Sequence, residues 1–136
     1  MLQVLVIDGQ GGGIGRQLVQ AIHSACPQAF ITAVGTNATA TSAMLRAGAN
    51  NAATGENAVV VGCRRADVIA GPIGIVIADA LLGEITPAMA VAIGSSRAKR
   101  VLVPVNHCDN LIVGVADMPL AQLAQEAAQR VAELAE

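Results

Sequence analysis

The passage from Leu2 to Gly15 limits this chain more than any other. An apolar run rich in β-branched residues, Leu2 to Ile7, leads directly into Asp8, Gly9, Gln10, Gly11, Gly12, Gly13, Ile14 and Gly15. An apolar run without strict alternation is the pattern of a strand covered on both faces, as in a parallel sheet. From Ile14 to Ala25 the apolar residues recur at helical spacing. Ile14, Leu18, Ala21, Ile22 and Ala25 share one face, while Arg16, Gln17, Gln20 and His23 lie off it, and Pro27 ends the helix. A strand that passes through a tight turn into a helix must return over its own sheet. The next strand is therefore parallel, with a right-handed crossover.

The alternation continues. Phe30 to Val34 reads as a second strand and Ala38 to Ala47 as a helix, capped by Thr36 or Asn37 and stopped by Gly48. Ala49 to Thr54 holds a very short third strand. Gly55 to Arg65 reads as a helix with Thr54 as its cap, Glu56 in the first turn and Arg64 and Arg65 in the last, followed by a strand at Ala66 to Ala70. Ile73 to Leu82 is ambiguous between helix and strand. Thr86 and Pro87 open a capped helix that runs to Gly94, and Val101 to Val105 is the next strand. Leu111 to Val115 reads as a final strand, and the short polar link Asn106 to Asn110 permits it to run antiparallel. Pro119 to Glu136 is a terminal helix with Leu120, Leu123, Ala127, Val131 and Leu134 on one face. The layout is a Rossmann-like three-layer α/β/α sandwich with a mostly parallel sheet.

Composition narrows the function classes. At 136 residues the chain fits one domain with a core of its own. Its apolar fraction is 54% and its charged fraction only 13%, where ordinary domains are about a quarter charged. So much apolar surface implies contact with another copy, and a homo-oligomer is the simplest outcome. A net charge of −2, scattered basic residues and the lack of Trp and Tyr argue against nucleic acid as a partner. The greasiest region, Val68 to Leu82, is broken by Gly71, Pro72, Gly74 and Asp79, whereas a bilayer span needs about 20 apolar residues. No membrane partner is expected. With no secretory leader and with Cys26, Cys63 and Cys108 far apart, the reading is a cytoplasmic protein.

The glycine turn carries the strongest chemical signal. Glycine lets the backbone adopt left-handed conformations and approach a ligand closely. A helix that starts there aims free N–H groups and the positive end of its dipole at an anion. Phosphate or pyrophosphate suits such a site, which makes the expected ligand a phosphate-bearing nucleotide, NAD(P) among the options. In a doubly wound sheet the ligand lies beyond the carboxyl ends of the strands, where their order reverses. That expectation gathers Gly9, Gln10, Gly11, Gly12, Gly13, Ile14 and Gly15 with Gly35, Thr36 and Asn37, with Thr54 to Glu56, with Gly71, Pro72, Ile73 and Gly74, and with Asn106 to Asp109. Thr36 and Asn37 would take a sugar. The plainer alternative is that these are tight turns and helix caps.

The spacing of Gly9, Gly13 and Gly15, with Ile14, Arg16 and Leu18, resembles the cofactor turn of short-chain dehydrogenases. The resemblance covers only the first strand and helix, and the catalytic Tyr-x-x-x-Lys of that family has no counterpart in a chain without Tyr. An acidic residue at the end of the second strand is also lacking, since Gly35, Thr36 and Asn37 stand there. Over its whole length, through Ile7 to Gly15, Gly35 to Met44, Ala47 to Asn57 and Gly71 to Val76, the chain resembles a family of short bacterial proteins of unknown function. That resemblance implies no activity.

Catalytic candidates are few. Asp8 would sit beside a bound phosphate, or else hydrogen-bond the loop amides. His107 and Cys108, with Asp109, pair a base with a nucleophile, or form an ordinary polar loop. Asp79 and Glu84 interrupt an apolar region, where a buried carboxylate would serve as a general acid or base, although Glu84 reads more simply as a solvated turn residue. Arg97, Lys99 and Arg100 suit a helix C-terminus. No metal set emerges from the spacing, and Cys26 and Cys63 read as packed thiols. Three functions compete on these grounds: a nucleotide-binding protein, a non-catalytic oligomeric accessory protein, and a thiol or metal enzyme centred on His107 and Cys108.

Overall fold

A computed structural model of the chain describes residues 1–105 and 109–135. Along it alternate β1 (Gln3–Asp8), α1 (Gly13–Ala25), β2 (Phe30–Gly35), α2 (Ala38–Arg46), β3 (Asn51–Thr54), α3 (Glu56–Arg65), β4 (Val68–Pro72), α4 (Pro87–Gly94), β5 (Lys99–Val103) and α5 (Leu120–Leu134). A 3₁₀ turn, Ile73–Val76, follows β4. The strands form one sheet in the order β3-β2-β1-β4-β5, with every pair parallel. This is the Rossmann-like α/β/α architecture expected from the alternation. The chain lays down β1, β2 and β3 in one direction and then returns across β1 to place β4. The order therefore reverses between β1 and β4.

The side chains of β1 explain why the sheet is covered on both faces. Val4 and Val6 point into one core with Leu18 and Ile22 of α1, Met44 of α2 and Val131 of α5. Leu5 and Ile7 point into a second core with Val59 of α3 and Met89 and Ile93 of α4. The period of two along a strand produces this division. Each large aliphatic side chain removed from water contributes about 1.5–3 kcal/mol.

Two caps fall where the sequence places them. The Asn37 side chain accepts from the Ala40 N–H at 2.9 Å, and Thr86 Oγ1 accepts from the Met89 N–H at 3.1 Å. A third differs: Gly55, with φ of 103°, caps α3 without a side-chain bond. Thr54 is instead held in β3 opposite Gly35, and its hydroxyl meets that of Thr41 at 2.7 Å. Arg100 meets the expectation for a helix end, donating to the carbonyls of Ile93 and Ser96 beside the C-terminus of α4.

The expected last strand does not form. Leu111 to Val115 is irregular, turning at Val113 and at Gly114, whose φ is 85°. β-Branched residues favour a strand only where a neighbouring edge and a buried face receive them. Here Leu111 and Val113 are 90% and 97% exposed, and the sheet of described residues ends at β5 with all strands parallel. The ambiguous stretch after Pro72 is neither a long helix nor a strand. Past the 3₁₀ turn its backbone is left-handed at Asp79, Leu81, Leu82 and Gly83, which excludes both regular forms.

At the reversal the backbones of β1 and β4 approach so closely that a Cβ on Gly71 would strike the Ile7 carbonyl oxygen. Gly71→Ala is expected to lower stability by about 1–3 kcal/mol, as overpacked sites do. Gly94→Ala, where a methyl would meet open space, is expected to leave the urea midpoint unchanged or raise it.

Candidate functional site

Asp8 ends β1 and is 3% exposed, the one buried charged residue among those described. Its Oδ1 accepts from the Gly9 N–H at 2.8 Å and its Oδ2 from the Gly15 N–H at 2.7 Å. The carboxylate thus ties both ends of the loop together. Inside that clamp the Gly12 N–H donates to the Gly9 carbonyl at 2.9 Å, and Gly12, with φ of 75°, caps α1. Burial pushes the Asp8 carboxyl above its ordinary 3.8. The Gly15 and Gly9 amides pull it back, the charge of Glu84 raises it further, and the Ile14 amide lowers it. Of the two readings of Asp8, the structure shows the one that hydrogen-bonds the loop amides.

The loop glycines are present for different reasons. A Cβ on Gly15 would lie 2.5 Å from Met44 Sδ and 2.8 Å from Asp8 Cβ, so α1 can pack there only without a side chain. Gly12 needs its left-handed φ and lies against Ala40 of α2. A Cβ on Gly9 would sit 2.6 Å from Thr36 Oγ1 and 2.9 Å from Glu84 Oε1. Gly11 and Gly13 are unlike these. Both are exposed, neither has a positive φ, and a Cβ on either would meet nothing within 4 Å. Among the described residues no acceptor takes the N–H of Gly11 or Gly13.

Above the loop lies a residue whose role the sequence did not reveal. Glu84 Oε1 accepts from the Thr36 hydroxyl at 2.5 Å, the Asn37 side-chain N–H at 2.8 Å and the Gln10 N–H at 2.9 Å. Instead of a solvated turn residue, Glu84 is the point where the segment before α4 is fastened to the glycine loop and to the end of β2. The Thr36 hydroxyl holds its carboxyl below the ordinary 4.5. Partial burial opposes that shift, and the Gln10 and Asn37 donors add to it. Asn37 is fully engaged, since it also caps α2 and donates to the Gln10 carbonyl at 3.0 Å. The only sequence hint was an acid beside Gly83 in an otherwise apolar stretch. Its partners stand 47, 48 and 74 residues away.

The other expected residues are placed as follows. Gly35 sits under the start of α2, where a Cβ would strike Thr41. Gly71, Pro72 and Gly74 are buried at the end of β4, with Ile73 partly exposed. Glu56 accepts from the Thr86 hydroxyl at 2.5 Å and links the starts of α3 and α4. Asp79 is exposed. Cys26 and Cys63 are buried and free, and burial pushes the Cys63 thiol up to about 11. His107 and Cys108 lie outside the described residues. Among the described residues no His, Cys, Asp and Glu group has metal-binding geometry, and no helix is long and apolar enough to cross a membrane. A cavity of about 310 Å³ lies away from the loop, between α3 and the face of β1, β2 and β3 that it covers.

Residues 3–136 match the family described as Domain of unknown function (DUF3842). The chain belongs to that family. No protein of curated function matches it. Among solved structures, a dodecameric FMN-dependent Ubix-like decarboxylase from Escherichia coli O157:H7 aligns with 96% of this chain and 76% of that chain, at 20% identity and a TM-score of 0.44.

In this family member the lowered Glu84 pKa makes ionised Glu84 a stabilising group. Its contribution is complete above the ordinary 4.5 and is lost as pH falls through the lower folded value. The stability difference between the wild type and Glu84→Gln is expected to stay constant from neutral pH down to about 5 and to shrink below about 4. Denaturant midpoints measured across that range check it.

Proposed function

We propose that the protein binds a phosphate-bearing, nucleotide-type ligand, with its phosphate on the amides of Gly11 and Gly13 at the start of α1. One observation carries this reading: no neighbour and no backbone angle requires glycine at these two positions. A ligand that must approach the backbone does require it. Two further features support it. The two amides lack acceptors among the described residues, and the loop lies where the strand order reverses. NAD(P) belongs to this class, as do other phosphate-bearing nucleotides. Binding is the activity proposed, and no reaction is assigned.

A second reading, an oligomeric accessory role in the cytoplasm, draws on different residues. Leu111 and Val113, at 90% and 97% exposed, would be covered by another copy of the chain. The two readings are compatible, because the apolar segment lies outside the loop.

Melting the protein with ADP, NAD⁺, FMN or coenzyme A tests the first reading. A ligand at about one hundred times its Kd stabilises the folded state by about 2.7 kcal/mol, which is a shift of several degrees. Gly13→Leu is expected to remove that shift while leaving the unliganded melting temperature nearly unchanged, because leucine is a good helix former and the space is open. Gly15→Ala is expected to lower the unliganded melting temperature instead. No shift with any of the four ligands, or an intact shift in Gly13→Leu, overturns the assignment.

A further inference from the structure

Dinucleotide sites of this fold class place a carboxylate at the end of the second strand, where it accepts from the ribose hydroxyls. Here β2 runs into Gly35, Thr36 and Asn37, none of them acidic. The structure nevertheless brings an acid to that position. Thr36 and Asn37 together grip Glu84 Oε1, and the Gln10 N–H supplies a third donor from the glycine loop. Glu84 Oε2 has no partner among the described residues, and the residue is partly exposed. One oxygen is thus fixed by the protein while the other stays open to a donor.

The backbone around this carboxylate is strained to put it there. Asp79, Leu81 and Leu82 have φ of 67°, 57° and 56°, and Gly83 follows at 88°. Non-glycine residues in this region cost free energy and persist only where their surroundings hold them. The restraints here are Leu81, 3% exposed, Ile85, fully buried, and an Asp79 N–H bond to the Ile85 carbonyl at 2.8 Å. On the opposite side Gln10, with φ of 50°, turns its N–H toward Glu84. Gly9 leaves the room that Glu84 Oε1 occupies. Three separated parts of the chain, the glycine loop, the end of β2 and the Asp79 to Ile85 segment, converge on one carboxylate.

Building on the nucleotide reading above, we propose that Glu84 reads the ribose of the ligand, with Oε2 accepting from the vicinal hydroxyls and the carboxylate repelling a 2′-phosphate. The preferred ligand is a ribonucleotide with a free 2′,3′-diol. Thr36 and Asn37, the residues expected to take the sugar, become positioning residues for the group that does. The lowered pKa keeps that group charged at neutral pH.

Calorimetric titration at neutral pH with two matched pairs tests this. NAD⁺ and NADP⁺ differ by the 2′-phosphate, and ADP and 2′-deoxy-ADP by the 2′-hydroxyl. The wild type is expected to favour NAD⁺ and ADP by about ten-fold or more, the usual scale for one hydrogen bond to a charged group. Glu84→Gln keeps an oxygen for Thr36, Asn37 and Gln10 but replaces the free acceptor with a donor and removes the charge. It is expected to bring both ratios within about three-fold of unity. Thr36→Val, which leaves the charge but removes the hydroxyl behind it, is expected to weaken both ratios part-way, and it decides the matter if Glu84→Gln does not fold. Equal affinities within each wild-type pair, or ratios unchanged by the substitutions, overturn the role of Glu84 and leave the nucleotide reading standing. A uniform gain in affinity for all four ligands in Glu84→Gln also overturns it, because Glu84 would then be an internal plug. Failure of all four to bind overturns the role of Glu84, and the nucleotide reading falls with it only if FMN and coenzyme A also leave the melting temperature unshifted.

Discussion

A carboxylate buried at the end of a central strand has to be surrounded by donors, and for Asp8 these are backbone amides. That requirement sets much of the molecule around it. The amides of Gly9 and Gly15 can reach the two oxygens together only if the intervening chain forms one tight loop, so the clamp fixes both where α1 starts and how it leaves the sheet. Gly15 sits so close to the Asp8 side chain and to Met44 that α2 is positioned by the same contact. Bonds to a charged group contribute about 1.5–3 kcal/mol each, against several for removing a carboxylate from water. The raised pKa shows that desolvation keeps the upper hand.

Glu84 lies above the same loop under opposite conditions. It is partly exposed and accepts three hydrogen bonds on one oxygen, so its carboxyl is lowered where that of Asp8 is raised, and its charge contributes to the rise at Asp8. Two carboxyls pushed apart in this way divide their tasks: one closes the loop from below and the other fastens the strap before α4 from above. The helix end is worth about half a positive charge, and Asp8 already neutralises part of it. For the phosphate proposed at Gly11 and Gly13, directed hydrogen bonds would matter more than the helix field.

What was legible in the chain follows from which signals are local. The alternation of strands and helices, the caps at Asn37 and Thr86 and the stop after Ala25 all depend on residues within a few positions of one another. The parallel sheet was legible because the apolar run Leu2 to Ile7 is covered on both faces. Leu111 to Val115 misled because β-branched composition reports what a strand would tolerate, while a strand also needs an edge, and Gly114 turns the chain before one could be used. Thr54 looked like a cap, but the pairing of β3 with β2 claimed it first. Glu84 was invisible because its three partners come from two other segments far away in the chain.

The glycines show the same limit more sharply. Five of them stand between Gly9 and Gly15, and in sequence they are equivalent signs of a turn. In space they divide by cause: Gly12 by backbone angle, Gly9 and Gly15 by crowding, Gly11 and Gly13 by neither. A glycine explained by its neighbours is evidence about folding alone, however suggestive its spacing. Only those the fold does not explain bear on a ligand. The resemblance to a dehydrogenase turn rested on Gly9, Gly13 and Gly15, two of which the fold requires for itself, so its functional content reduces to Gly13. Gly11, outside that spacing, joins it on independent geometric grounds. The two together, rather than the motif, mark the stretch of backbone at which the ligand is proposed.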